Sequence, residues 1–216
     1  MLDHPGTAAL RTRQDGAVVA AHYGSVATEL AICRKTAGIV DRSELGQLEL
    51  AGREPWIEHA LAHAIGAAVP APGRAVLLGD TWCCRVAAGR AIVVAPPAAR
   101  ARWRRLAREA VVAGHPIECA DLTPGSGAVS LVGPAARAVL RAAGLPHKLA
   151  PGELSAASSG TIVLRDGPER FLLLLAAPLS AAVWHELLDA GRPFGLSPVG
   201  SDALGRLRAA YRRADA

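Results

Sequence analysis

With 216 residues, 51% of them hydrophobic, and a mean hydropathy of +0.24, the chain can fill a sizeable core without staples, as one large domain or two small ones. No apolar run approaches the roughly 20 residues that span a bilayer, since Phe171 to Leu175 is flanked by Arg170 and closed by Pro178, and the polar stretch Met1 to Gly16 lacks a signal-peptide core. The net charge of +5 rests on an arginine-rich background, with a cluster at Arg100, Arg102, Arg104, Arg105 and Arg108 that has only Trp103 interleaved, which argues against nucleic acid; a cytoplasmic protein with no membrane partner is expected.

Residues 1 to 20 read as a loose N-terminal arm ending in Val18-Val19-Ala20, ahead of a domain spanning 21 to 216. Tyr23-Gly24-Ser25 reads as a turn whose serine caps a helix, with Glu29 early in that helix and Gly38 marking its end. Val26, Leu30, Cys33 and Ala37 fall on one helical face, while Glu29, Arg34 and Lys35 project into solvent. A short strand follows from Gln47 to Leu50. Then come a helix from Pro55 to Ala64, strands at Ala75 to Leu78, Thr81 to Ala87 and Ala91 to Ala95, and a basic helix from Pro97 to Ala113.

The second half repeats this order: a strand at Ala128 to Val132, a helix at Pro134 to Ala143, strands at Thr161 to Arg165 and Arg170 to Ala176, and a helix at Leu179 to Ala190. Gly52 and Gly133, Pro97 and Pro178, and Trp103 and Trp184 each stand 81 positions apart, in matching places. This predicts an internal duplication over about 45–114 and 126–195, with a closing helix from Asp202 to Arg213. Tightly paired strands predict an α+β fold with antiparallel sheets, in two pseudo-symmetric strand-helix-strand-strand-helix halves whose pairing buries their open faces. A cleft between the halves is the natural ligand site.

Motifs for metal, redox or nucleophilic chemistry are thin. His59 and His63 share a helix face, but Ala60 stands where a zincin has glutamate, and no metal site is assigned. Cys33, Cys83, Cys84 and Cys119 lack zinc-ligand spacing and read as reduced, buried thiols. Gly125-Ser126-Gly127 is a turn, not a nucleophile elbow, and the glycines of Gly195 to Gly205 lack phosphate-loop spacing.

The spacing Tyr23-Gly24-Ser25, Glu29, Arg34, Gly38, Asp41, Ser43 and Gly52 resembles the opening block of the glycine cleavage system T-protein (aminomethyltransferase) and its folate-binding relatives. Gly133-Pro134-Ala135-Ala136 resembles the family's second strand-to-helix junction. Val183 to Gly191, Gly195 to Gly200 and Leu207-Arg208 resemble its closing block.

The resemblance implies a folate-linked one-carbon protein with tetrahydrofolate held between the halves, possessing Asp80 as the one carboxylate left to stand for a catalytic acid and Tyr23, Glu169, Arg208 and Tyr211 as cofactor contacts. Departures from the family pattern are plain. The family's Gly-Gly-x-x-Asp-Asp segment is shortened to Gly73 through Asp80, and its Gly-Glu-x-Gly-Phe-Glu motif reads Gly167-Pro168-Glu169-Arg170-Phe171-Leu172, shifting the glutamate by one residue and hence to the other face of a strand. No stretch of the 216 residues resembles the family's C-terminal barrel domain. These losses leave open a non-catalytic role like that of the sarcosine oxidase gamma subunit, with flavoprotein oxidase subunits or a second copy as partner. An assembly factor for iron-sulfur proteins is a third alternative, although the cysteine signature of those relatives is not visible.

Overall fold

The computed structural model describes residues 9–14, 17–66, 68–112 and 116–214. Residues 1–8 of the expected arm, and Ala113 and Gly114 at the end of the first repeat, lie outside them. Within the described part of the arm, β1 (Leu10–Gln14) and β2 (Ala17–His22) pair as an antiparallel ribbon, with Val19 and Ala21 buried.

Ser25 caps α1 (Val26–Lys35), its hydroxyl accepting the Thr28 amide. The helix stops at Lys35, short of Gly38, because Ala37 and Gly38 already belong to a strand, β3 (Ala37–Asp41). Gly38 is therefore not a cap. A Cβ there would come within 2.8 Å of both Cys33 Sγ and a Val199 methyl, so glycine is what lets α1 and the closing segment meet over β3.

The first half continues with β4 (Gly46–Gly52), α2 (Glu54–Ile65), β5 (Arg74–Leu78), β6 (Thr81–Ala87), β7 (Arg90–Ala95), α3 (Pro97–Val112) and β8 (Ile117–Asp121). The second half has β9 (Ser126–Val132), α4 (Ala136–Ala142), β10 (Leu154–Ala156), β11 (Ile162–Gly167), β12 (Arg170–Ala176) and α5 (Ala177–Gly191). The short β13 (Leu196–Pro198) and α6 (Ser201–Ala214) close the chain.

Two mixed-length sheets result, with orders β5-β6-β7-β4-β8 and β10-β11-β12-β9-β3-β13. The core orders β5-β6-β7-β4 and β10-β11-β12-β9 match element for element, so the fold is α+β with two pseudo-symmetric halves. The hairpins match down to a bulge. In β6-β7 the register slips between Arg85 and Ala87, and in β11-β12 between Arg165 and Gly167. In both, an arginine braces the turn: Arg85 donates to the carbonyls of Ala87 and Ala88, and Arg165 to those of Gly167 and Pro168. These arginines stand 80 positions apart, one fewer than Gly52 and Gly133.

Strand alternation decides what each sheet face meets. On β12, Phe171, Leu173 and Leu175 pack with Trp184 and Leu187 of α5 and with α4. Leu172 and Leu174, on the other face, join Ile162, Leu164 and Ala128 against Cys84, Ile92 and Val94 of the five-stranded sheet. Each such buried leucine is worth roughly 1.5–3 kcal/mol relative to exposure. The five-stranded sheet covers its outer face with α2 and α3 through Ile57, Leu61 and Trp103. The six-stranded sheet is wider, and the rest of its inner face is covered by α1 and α6: Val40 and Val132 pack with Cys33, Val199, Leu204 and Leu207.

Candidate functional site

Two polar features break the apolar inner face. The first is centred on Glu29, which the helical pattern assigns to solvent. It is 4% exposed instead. One carboxylate oxygen accepts the amide of Tyr23 at 2.6 Å, and the other accepts the buried amide of Gly200 at 2.8 Å. The reason is tertiary: α6 enters over α1, and Gly200 lies so close to the Ala21 carbonyl that a Cβ there would collide with it.

Beside this carboxylate, Tyr23, Ser25, Thr28, Ile32, Ser197 and Pro198 enclose a pocket of about 310 Å³. That is near the lower end for small-molecule sites. Burial pushes the Tyr23 phenol above its ordinary pKa, reinforced by the charges of Asp41 and Glu29 and opposed by Arg11, so the hydroxyl stays protonated.

The second feature is a charged seam where the sheet-to-sheet core ends and the α1/α6 core begins. Ser130 on β9 lies opposite Leu172, and Val132 lies opposite Arg170, so both rungs share the inner face. Arg42, which follows β3, binds Glu44 at 2.5 Å and donates to the Ser130 hydroxyl at 3.3 Å. Asp166, buried at the β11 bulge, faces Arg170 at 3.4 Å and Arg208 of α6 at 3.5 Å. Burial lowers the Arg208 pKa to about 10, with Arg42 and Arg170 pushing the same way and Asp166 opposing, so Arg208 is still a cation at neutral pH.

The residues singled out from sequence are spread over these features and beyond. Tyr23 lines the pocket, and Arg208 belongs to the seam. Tyr211 falls on α6, its side chain outside the described residues. Asp80 sits exposed at the β5-β6 turn, where it accepts the Thr81 hydroxyl. Glu169 occupies the β11-β12 turn, exposed and on no strand face, and its carbonyl accepts the Gly133 amide. The one-residue shift of Glu169 therefore does not turn it to the opposite side of a sheet; it leaves the carboxylate at the tip of a hairpin. His59 and His63 are exposed on α2, and among the described residues no group of three metal-ligand side chains occurs. No helix among the described residues is long and apolar enough to cross a membrane.

The chain matches no protein-family model. It is 32% identical over 195 residues to an aminomethyltransferase of Frankia alni, covering 81% of this chain and 52% of that protein. Its fold superposes with a TM-score of 0.76 on the glycine cleavage system aminomethyltransferase T of Bartonella henselae, at 23% identity over 90% of this chain and 56% of that one. The chain belongs to the T-protein-like family. It spans about half the length of the aminomethyltransferases it matches. A chain of the heterotetrameric sarcosine oxidase of Corynebacterium sp. U-96 has the same fold at a TM-score of 0.64 and 20% identity, covering 86% of this chain and 97% of that one.

Within this T-protein-like fold, sequence reasoning missed Asp166, Arg42, Glu44 and Ser130. Asp166 reads locally as a hairpin turn residue, and only the bulge, which keeps the strand going to Gly167, carries it inward. Arg42 and Glu44 read as loop. A signal was present for the pair, since a basic and an acidic residue two apart between β3 and β4 can meet over a strand end, but nothing local says that the seam buries them.

Proposed function

We propose that this chain is a cytoplasmic folate-linked one-carbon protein that binds tetrahydrofolate at the junction of its two halves and takes part in one-carbon transfer from an N-methyl or aminomethyl donor. The observation that carries the reading is the likeness to an aminomethyltransferase over 81% of the chain, joined to the T-protein fold. The residues fit the cofactor in chemistry. An aminopyrimidine edge asks for an accessible carboxylate, and the exposed turn residues Asp80 and Glu169 each offer one. Glu169 would meet the pterin with Tyr23, Arg208 and Tyr211 as further contacts, and Asp80 would orient the ring or hold a proton at its free oxygen. Tetrahydrofolate, when bound, supplies the amine that accepts the one-carbon unit.

The test is thermal unfolding against a tetrahydrofolate titration. At a hundredfold excess over Kd, stabilisation is about 2.7 kcal/mol, roughly 5–10 °C for a protein of this size. An unmoved transition at millimolar ligand would refute the reading.

A second reading has its own support: the chain spans 97% of one chain of a heterotetrameric oxidase. In that reading it is a non-catalytic subunit or assembly module of a flavin-dependent complex, or pairs with a second copy of itself. Purification of the tagged protein from its native source, followed by a flavin absorbance scan of the complex, decides it. Recovery free of any flavoprotein counts against this second role.

A further inference from the structure

A sheet edge left uncovered is a template for another strand. The edges at one end of the sandwich close each other. The Ala75 amide of β5 donates to Gly152, the Leu154 amide of β10 donates to Gly73, and a backbone bridge joins Arg74 to Glu153. At the other end the six-stranded sheet finishes in β13, three residues long and ending in Pro198, which has no N–H to offer. β8 is different. It is five residues long and pairs with β4 on one side, and among the described residues no strand pairs with the other. Glu118, Cys119, Ala120 and Asp121 are all exposed.

The side chains along this edge complement their own copy. Cys119 and Asp121 lie opposite Leu50 and Leu48 and face α3, while Glu118 and Ala120 point to the other side. α3 runs back along β8. Arg104 pairs with Asp121 at the strand's end, so Arg108, one turn nearer the chain reversal, stands over its start. Burial raises the Cys119 thiol pKa and the charges of Arg104 and Arg108 pull it down, which sets both guanidiniums near this thiol. Arg108 has no carboxylate partner among the described residues.

We propose that β8 is a dimerisation edge, pairing antiparallel with β8 of a second copy in the two-fold register that sets Cys119 opposite Cys119. The proposal rests on the second-copy branch of the second reading above and gives it a surface. In this register Glu118 lies opposite Ala120 of the second copy and Ile117 opposite its Asp121, so no like charges meet directly. The incoming Asp121 arrives under Arg108, and the two-fold axis makes that contact twice. The neighbouring symmetric registers are worse: one sets Glu118 against Glu118, and the other carries Ile117 and Glu118 past the end of the strand.

Sedimentation equilibrium of the purified full chain under reducing conditions, with no folate and no flavoprotein present, tests it. A reversible monomer–dimer equilibrium is expected between micromolar and millimolar chain. Cys119→Arg sets two guanidiniums directly opposite, about 4.5–5.5 Å apart at the backbone, and Arg108→Glu reverses a contact made twice. Each should weaken the dimer by about ten-fold or more. Both positions are exposed, and circular dichroism establishes that the variants are folded. Diamide, which takes up two electrons and two protons from a pair of thiols, reads the register. Cysteines directly opposite lie within disulfide reach, so the parent dimer should become covalent, whereas Cys119→Ser should dimerise equally well and stay free of crosslinks. Edge pairing leaves the strand's face open, so small thiol reagents still reach Cys119. A chain monomeric throughout overturns the proposal and the second-copy reading together. A dimer unmoved by both variants, or one that diamide does not trap, overturns the β8 edge alone and assigns the second copy to another face.

Discussion

Replacing Glu29 with alanine should cost the protein about 3–5 kcal/mol. The carboxylate holds two backbone amides, Tyr23 at 2.6 Å and Gly200 at 2.8 Å, and hydrogen bonds to a charged group contribute about 1.5–3 kcal/mol each. The two amides are not equivalent. Gly200 is buried, and without Glu29 its N–H has no water to turn to, whereas Tyr23 borders the pocket, where solvent can replace part of the loss. The larger share therefore lies at Gly200, and the contact most weakened is the docking of α6 onto α1. At 2–4 °C per kcal/mol for a chain of this size, the midpoint should fall by roughly 10 °C. Urea unfolding followed by tryptophan fluorescence, with calorimetry alongside, measures both quantities. Glu29→Gln keeps one acceptor oxygen and should lose about half as much. Ser25→Ala, which removes only a cap hydrogen bond of 3.4 Å, should cost no more than about 1 kcal/mol. If Glu29→Ala unfolds within 1 kcal/mol of the parent, the carboxylate is not the clamp described.

Arg85→Ala should destabilise more than Arg165→Ala in urea melts, although both arginines brace the same hairpin turn. Arg85 is 2% exposed and fills core volume, while Arg165 is half-buried, so equal losses would contradict the packing argument. Asp166→Ala strips the carboxylate from Arg170 and Arg208 and should cost about 3–5 kcal/mol, as breaking a buried ion pair does; Asp166→Asn should recover part of it in the same melts. Of the four thiols, only Cys119 is exposed, so one equivalent of a thiol reagent should react in the native state at pH 8 and four after unfolding.

Alkali should weaken the fold. Burial raises the thiol of Cys33 to about 11 and that of Cys83 to about 12, above the unfolded value of 9.0. Between those values the unfolded chain has already released protons that the native chain keeps, so stability falls as pH rises from 9 and is fully present below it. Cys33→Ala and Cys83→Ala should flatten that slope in urea melts run from pH 8 to 11.

Local chemistry reached far in this chain. Ser25 marks a helix start by a hydroxyl that can only reach the next turn, paired strands announce themselves by alternation around tight turns, and tryptophan and proline anchors at one spacing reveal the two halves. All of these depend on residues a few positions apart, or on repetition of the same short pattern, and both are written in order along the chain.

Tertiary structure decided what has no local signature. β3 and β8 became strands because β9 and β4 offered open edges beside them, and Gly38 serves that packing, not a helix end. Glu29 carries the sequence character of an exposed helical residue, and only the return of the chain 171 positions later, with Gly200, makes it a buried clamp. The seam of Arg42, Glu44, Ser130, Asp166, Arg170 and Arg208 likewise draws on β3, β9, β11, β12 and α6, or the residues next to them. No window of sequence contains it, because burial of charge is set by which surfaces meet, and that is known only once two unequal sheets have packed and left one face for α6 to cover.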